Sequence, residues 1–346
     1  MLGFLWFWLV AVMIVGYVVL DGFDLGVGVL HLFLVRTESE RRTALASIGP
    51  VWDGNEVWLL AAGGTLYFVF PLLYASAFSG FYLPLTIILW LLVARGITIE
   101  LRNHIDVGVW RTLLDTVFGL ASVLLAIFFG AALANVMRGV PLNAEGFFFL
   151  PLWTNWQPGP APGILDWYTV IGGLVALIAL TLHGTLWILL KVSGDLAARA
   201  RAIVTPLWLG LVAFTAISLV ATIAVRRSSL DNYFNYPVSF AIPVGVVLAL
   251  AAIWLFTKKE KQLGAFLASC FYLFFMLAGA CWGVYPTLLP SSTSPARDLT
   301  LGRAITGTYA LQVGLVWWIL GMSLAIGYQV FVYSRFKGKM SAEGKY

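Results

Sequence analysis

Residues 50–60 read PVWDGNEVWLL, with Asp53 and Glu56 three residues apart at the head of an apolar run. Charge is expensive in hydrocarbon, and ionisable side chains inside a membrane line ion or proton paths or pair with one another. The surrounding chain is oily throughout. Its 346 residues are 61% hydrophobic and 11% charged, with a mean hydropathy of +0.92, whereas a soluble domain carries about 25% charged residues. Apolar runs recur from end to end, each long enough to span roughly 30 Å of hydrocarbon. The pattern predicts an all-α polytopic membrane protein, one integral membrane domain over residues 1–346. The short alternating segments of a membrane β-barrel are missing.

Nine spans are expected, at about 4–33, 49–74, 79–99, 113–137, 165–190, 203–225, 238–256, 264–286 and 307–334. The first has no basic residue before it and no small-residue cleavage site, so it reads as a membrane helix rather than a removable signal. The connector at 138–166, rich in proline and aromatics, reads as an ordered interfacial loop. Sixteen of the 21 Lys and Arg residues, Lys345 among them, fall on one side of this arrangement, and five fall on the other. By the positive-inside rule the N-terminus is expected outside and the C-terminus in the cytoplasm. The net charge of +5 therefore reports topology, and no nucleic-acid surface is expected.

The first span carries a second acidic pair, Asp21 and Asp24, in VVLDGFDLGVGVL. Residues three apart share a helix face. Asp24 with Asp53, and Asp21 with Glu56, are both centred on position 38.5, inside the basic loop RTESERR. A symmetric antiparallel hairpin would set the two pairs at one depth, facing each other, about 15–20 Å along the helices from the loop arginines. Gly22, Gly26 and Gly28 on the first helix, and Gly54, Gly63 and Gly64 on the second, suit close helix approach. Arg95, Glu100, Arg102 and His104, at the inner end of the third span, are candidate partners for the acids. Spacing alone leaves two readings open, a proton or ion path and a structural polar cluster.

Other chemistry is sparse. Cys270 and Cys281 form no metal or redox signature and read as buried small residues. His31 and His104 fall near helix ends; His183 lies inside the fifth span, where packing is the first reading and haem ligation the second. No metal site, phosphate loop or catalytic motif is present, so no catalytic residue and no metal ligand is assigned to this chain.

Five segments, in order, carry a resemblance: DGFDLGVGVL (21–30), PVWDGNEVWLL (50–60), AFSGFYLPL (77–85), RGITIELR (95–102) and YPTLLPSST (285–293). Together they resemble subunit II of the cytochrome bd-type quinol oxidases, the CydB family, over nearly the whole chain. The resemblance implies nine transmembrane helices, as two four-helix bundles plus one peripheral helix, in a bacterial or archaeal plasma membrane. It implies a heterodimer with subunit I, with small accessory subunits in some members. The complex oxidises quinol and reduces dioxygen. Haem b and haem d, or a b-type variant, are ligated by subunit I. Some members hold a bound quinone in subunit II, and the sequence leaves that open here.

The resemblance also implies a proton route from the cytoplasm, with Asp53 of the WDGN motif first and Asp24 and Asp21 in support; the residues themselves add Glu56 to that route, and Glu100 near its entrance. Trp52, Gly54, Asn55, Arg95 and Arg102 support these motifs. Some relatives have His-Trp-Asp-Gly-Asn-Gln where this chain has Val51 to Glu56, so a relay histidine is lost and a carboxylate gained. The alternative is a proton-coupled secondary transporter. It accounts for the intramembrane acids, but no inverted repeat or pair of matching broken helices accompanies them.

Overall fold

The computed structural model describes residues 1–102, 104 and 107–340, so Lys345 lies outside the described residues. The chain is almost entirely helical. In order the helices are α1 (Leu2–Phe33), α2 (Glu38–Ile48), α3 (Trp52–Val69), α4 (Pro71–Gly80), α5 (Tyr82–Leu101), α6 (Gly108–Arg138) and α7 (Trp167–Lys191). Then come α8 (Asp195–Val225), α9 (Asp231–Asn235), α10 (Ala241–Lys258), α11 (Gln262–Val284), α12 (Leu301–Ala304) and α13 (Thr308–Arg335). A two-stranded antiparallel ribbon, β1 (Thr287–Leu289) with β2 (Leu299–Thr300), closes the loop after α11. Among the described residues eight helical stretches are long and apolar enough to cross a membrane, and nine when the bent pair α3–α4 counts as one span.

That bent pair departs from the continuous span expected at 49–74. The chain turns by 119° between α3 and α4, at Phe70. Pro71 explains the break: it lacks an N–H and would clash with the preceding turn, but its fixed φ suits the first position of a new helix. The expected loop RTESERR is another departure. Thr37 caps α2 through its hydroxyl, which accepts from the Glu40 N–H, and Glu40 reaches back to the Thr37 N–H. This reciprocal capping box makes residues 38–48 a helix.

Helix α2 also shifts the depth of everything after it. Its Ala44, Leu45 and Ile48 are buried, and the Trp187 indole N–H donates to the Ser47 carbonyl at 3.3 Å. The helix thus folds in under the bundle, and α3 starts level with the middle of α1. Asp24 lies nine residues, about 14 Å of helix, before the end of α1 at Phe33.

Helix α1 is the axis of the packing, with α3, α6, α7 and α11 against it. Its glycine face makes this possible. A Cβ on Gly26 would run into the Leu180 carbonyl and come within 2.8 Å of Gly184 Cα on α7. Backbone approach of this kind replaces the hydrophobic drive that lipid removes. Helix α13 is the opposite case: Leu311 is its one fully buried residue among those described. Replacing Gly26 with valine overpacks the α1–α7 contact and is expected to cost about 2 kcal/mol or more. Thermal unfolding of the detergent-solubilised protein checks this, and an unchanged midpoint would contradict the packing described.

Candidate functional site

The polar residues of α1 are positioned by the packing just described. Asp21 and Asp24 are both shielded from solvent, at 0% and 1% exposure. Arg95 of α5, also fully buried, grips Asp21 with both arms: Nη1 donates to Oδ2 at 2.8 Å and Nη2 to Oδ1 at 2.7 Å. The same Nη2 donates to Glu56 Oε2 of α3 at 3.0 Å. One guanidinium therefore ties α1, α3 and α5 through two carboxylates. The planar fork of arginine matches a carboxylate in a way that a lysine ammonium cannot.

Asn55 forms the second half of the site. Its Nδ2 donates to the Leu20 carbonyl at 3.0 Å and to Asp24 Oδ2 at 2.8 Å. Its Oδ1 accepts from Gln329 Nε2 at 2.7 Å and from the Tyr333 hydroxyl at 2.9 Å, both on α13. All four hydrogen-bonding positions of the amide are filled. Three polar atoms beside this frame are buried without a hydrogen-bond partner: Asp24 Oδ1, the Tyr17 hydroxyl and Arg95 Nε. The interior thus gathers two carboxylates on one guanidinium and a third, Asp24, beside them on Asn55, with donor and acceptor positions to spare.

The hairpin symmetry places these residues in part. Asp21 and Glu56 do meet, through Arg95. Asp24 faces Asn55 and not Asp53. Asp53 lies on the exposed side of α3, with no hydrogen-bond or ion-pair partner among the described residues. Helical geometry gives the reason. At 100° per residue, Asp53 and Asn55 point nearly opposite ways, so burying Asn55 turns Asp53 out. Glu56 sits on the boundary, with its side chain 23% exposed. A Cβ on Gly54 would come within 3.3 Å of the Gln329 amide oxygen, and one on Gly96 of α5 within 3.5 Å of the Trp52 indole.

Arg102 and Glu100 stand apart from this cluster. Glu100 is exposed, and its carbonyl accepts from His104 Nδ1 at 2.9 Å. Arg102 belongs to a second network at the α2 end of the bundle, centred on Asp115 of α6. Asp115 accepts from His31 Nε2 at 2.7 Å, from Arg41 Nη1 at 2.6 Å and from Arg102 Nε at 2.5 Å. Arg102 also donates to Glu38 at 2.8 Å, and Arg199 pairs with Glu40 at 2.6 Å, which pins α2 to α5 and α8. Sequence reading passed over Asp115, Gln329 and Tyr333. The signal for Asp115 was available, since it is the one acidic residue in the run expected at 113–137. Nothing local marks Gln329 and Tyr333, which reach Asn55 from the far end of the chain.

The histidines are committed elsewhere. His183 has Nε2 on the Val19 carbonyl at 3.0 Å and Nδ1 on the Ser269 hydroxyl at 2.7 Å, and its ring stacks on Phe266. His31 serves Asp115, and His104 its own helix end. Among the described residues no three His, Cys, Asp or Glu side chains gather as a metal site.

Two outcomes follow from the two networks. Arg95→Leu leaves Asp21 buried without its counter-charge and is expected to cost about 3–5 kcal/mol. Adding Asp21→Asn should restore part of the loss in the same thermal unfolding assay, and no recovery would mean the pair is not the cause. At the α2 end, the hydrogen bonds from Arg102 hold the Glu38 carboxyl below its usual range. A carboxyl with a depressed folded value stabilises the fold above its unfolded value, about pH 4.3, and that support is lost as pH falls through the folded value. Glu38→Gln should therefore lower the unfolding midpoint at pH 7, and the gap from the parent protein should close on acidification below about pH 4. A gap independent of pH would contradict the pairing.

Known proteins match this chain along nearly its whole length. Residues 2–336 fit the family model described as cytochrome bd terminal oxidase subunit II. The chain is 31% identical over 341 residues to cytochrome bd ubiquinol oxidase subunit 2 of Bacillus subtilis (strain 168), covering 97% of this chain and 96% of that one. It is 30% identical over 371 residues to cytochrome bd-I ubiquinol oxidase subunit 2 of Escherichia coli (strain K12), covering 99% and 96%. In fold it resembles a chain of the bd oxidase from Geobacillus thermodenitrificans, with a TM-score of 0.75 at 17% identity over 97% of this chain and 98% of that one. The chain belongs to the cytochrome bd terminal oxidase subunit II family.

Proposed function

We propose that the chain is the non-haem subunit of a quinol:oxygen oxidoreductase, pairing with a haem-bearing subunit I and delivering protons to it from the cytoplasm. The observation that carries the proton role is a cluster with one guanidinium for three carboxylates: Arg95 holds buried Asp21 and half-buried Glu56, and buried Asp24 lies beside them on Asn55. Three carboxylates and one guanidinium balance to zero with two protons aboard. Burying an unbalanced charge costs several kcal/mol, so a cluster of this composition holds protons and can pass them on. Glu56 stands between the buried pair and the outward Asp53, one turn of α3 apart. In this reading protons enter near Glu100, reside on the cluster, and leave through Glu56 and Asp53 toward subunit I.

The finer architecture belongs to the same proposal. The α3–α4 pair is one span, which makes nine, arranged as two four-helix bundles with α13 peripheral. The shallow burial of α13 supports that placement. The α2 end, with its basic residues, is cytoplasmic, and the N-terminus is outside. The haems, of b and d type or a b-type variant, are carried by subunit I. The family match leaves the secondary-transporter reading without support.

Asp53→Asn, introduced into the two-subunit oxidase, is expected to leave assembly and the haem spectrum intact and to slow oxygen consumption at least about tenfold. Near-normal turnover with normal haem content would remove Asp53 from the route.

A further inference from the structure

At the end of the bundle opposite α2, a cavity of 640 Å³ opens where the C-termini of α6, α8 and α11 meet the loop that follows α11. Three guanidiniums line it, from Arg138, Arg226 and Arg227, with two carboxylates, Asp231 and Asp298. Arg138 is committed to the wall: it pairs with Asp166 and donates to Asn135 Oδ1 at 2.5 Å. Asp298 is fixed by the Ser291 N–H at 2.7 Å. The other two arginines differ. Neither Arg226 nor Arg227 has an ion pair among the described residues, and Arg226 Nε is buried with no hydrogen-bond partner. A guanidinium in that position leaves directional donors unfilled inside a cavity wall.

The depth of the cavity is marked by aromatics. Tyr285 lines it and stacks on Trp282 at 5.7 Å, and Trp282 stacks on Trp8 at 6.2 Å. Tryptophan and tyrosine gather where a membrane helix passes from hydrocarbon into the headgroup layer. Arg226 caps the C-terminal end of α8, directly after a span of 31 residues, at that same boundary. A cation at a helix C-terminus is favourable in itself, but two arginines beside an open polar cavity exceed what capping uses.

We propose that this cavity binds a phospholipid headgroup. Arg226 and Arg227 hold the phosphate, and Asp231 and Asp298 take up the ammonium or hydroxyl end. The mixed signs favour a headgroup that carries a phosphate and a donor on one short stem. A free phosphate has only the first of these.

Native mass spectrometry of the delipidated two-subunit oxidase, titrated with phosphatidylethanolamine, tests this. The parent complex should bind one phosphatidylethanolamine that the Arg226→Gln/Arg227→Gln complex binds about tenfold more weakly or worse. The exposed single variant Arg227→Gln serves if the double variant does not assemble, and it should weaken the same binding event. Equal affinity in parent and variant overturns the site. Inorganic phosphate is the second probe: if it occupies the arginines and displaces the lipid at comparable concentration, the site is for a free anion and the headgroup assignment is overturned.

Discussion

The buried guanidinium of Arg95 is the interaction that the site is built around. It sits at 0% exposure and reaches two carboxylates on two other helices. Its own desolvation is costly, and only good geometry on several partners offsets that cost. The fork on Asp21 supplies that geometry. The geometry in turn fixes the rotation of α1, α3 and α5 about their axes. A small rotation of α3 would withdraw Glu56 from Arg95 and Asn55 from Asp24 together, since both lie on neighbouring positions of one turn.

The glycine face of α1 serves the same end from the other side. Gly26 against Gly184 brings α7 close enough that Gly22 meets Leu180, and Gly28 meets Ser122 of α6. A helix gripped this closely on one side presents Asp21 and Asp24 to the other side at a fixed depth. The cap at the α2 end then holds α2 in place, through Asp115, Glu38 and Glu40 with their arginines. Because α2 tucks in under the bundle, α3 begins at mid-depth. Its first turn, with Asp53, Gly54 and Asn55, is thereby level with the acids of α1.

Much of this was legible in sequence and some was not, for physical reasons. The long apolar helices and their order follow from hydropathy, because a helix of fixed rise must carry an apolar run of fixed length; eight of them are unbroken spans among the described residues, and the expected stretch at 49–74 is bent. The acids of α1 were found because charge is conspicuous in such a run. The break at Phe70 was missed although Pro71 was in view, because apolar composition continues across it and hydropathy does not register bond geometry. The loop 36–42 was read from its charge, yet its capping box makes it helical. Facing was the hardest. Equidistance from a turn gives depth, but which side of α3 turns inward depends on tertiary partners. Asn55 is drawn in by Gln329 and Tyr333, some 270 residues later: 274 and 278 positions away.

The outward position of Asp53 follows from that constraint, and it bears on how the site is used. A carboxylate on a lipid-facing surface, with no partner, costs about 2.5–3.5 kcal/mol on insertion scales and more by other measures. Asp53 has no partner among the described residues, although Arg95 lies within the same bundle and already serves Glu56, one turn away. Its place in the first turn of α3 suits a carboxylate through the helix dipole, which offsets only about 0.3–1 kcal/mol of that cost. Its cost is removed where that face of α3 meets protein or water instead of hydrocarbon. The exposed side of α13 adjoins the same region, since Gln329 and Tyr333 reach across to Asn55. An exposed charged position and an unburied helix therefore lie side by side on this face of the subunit.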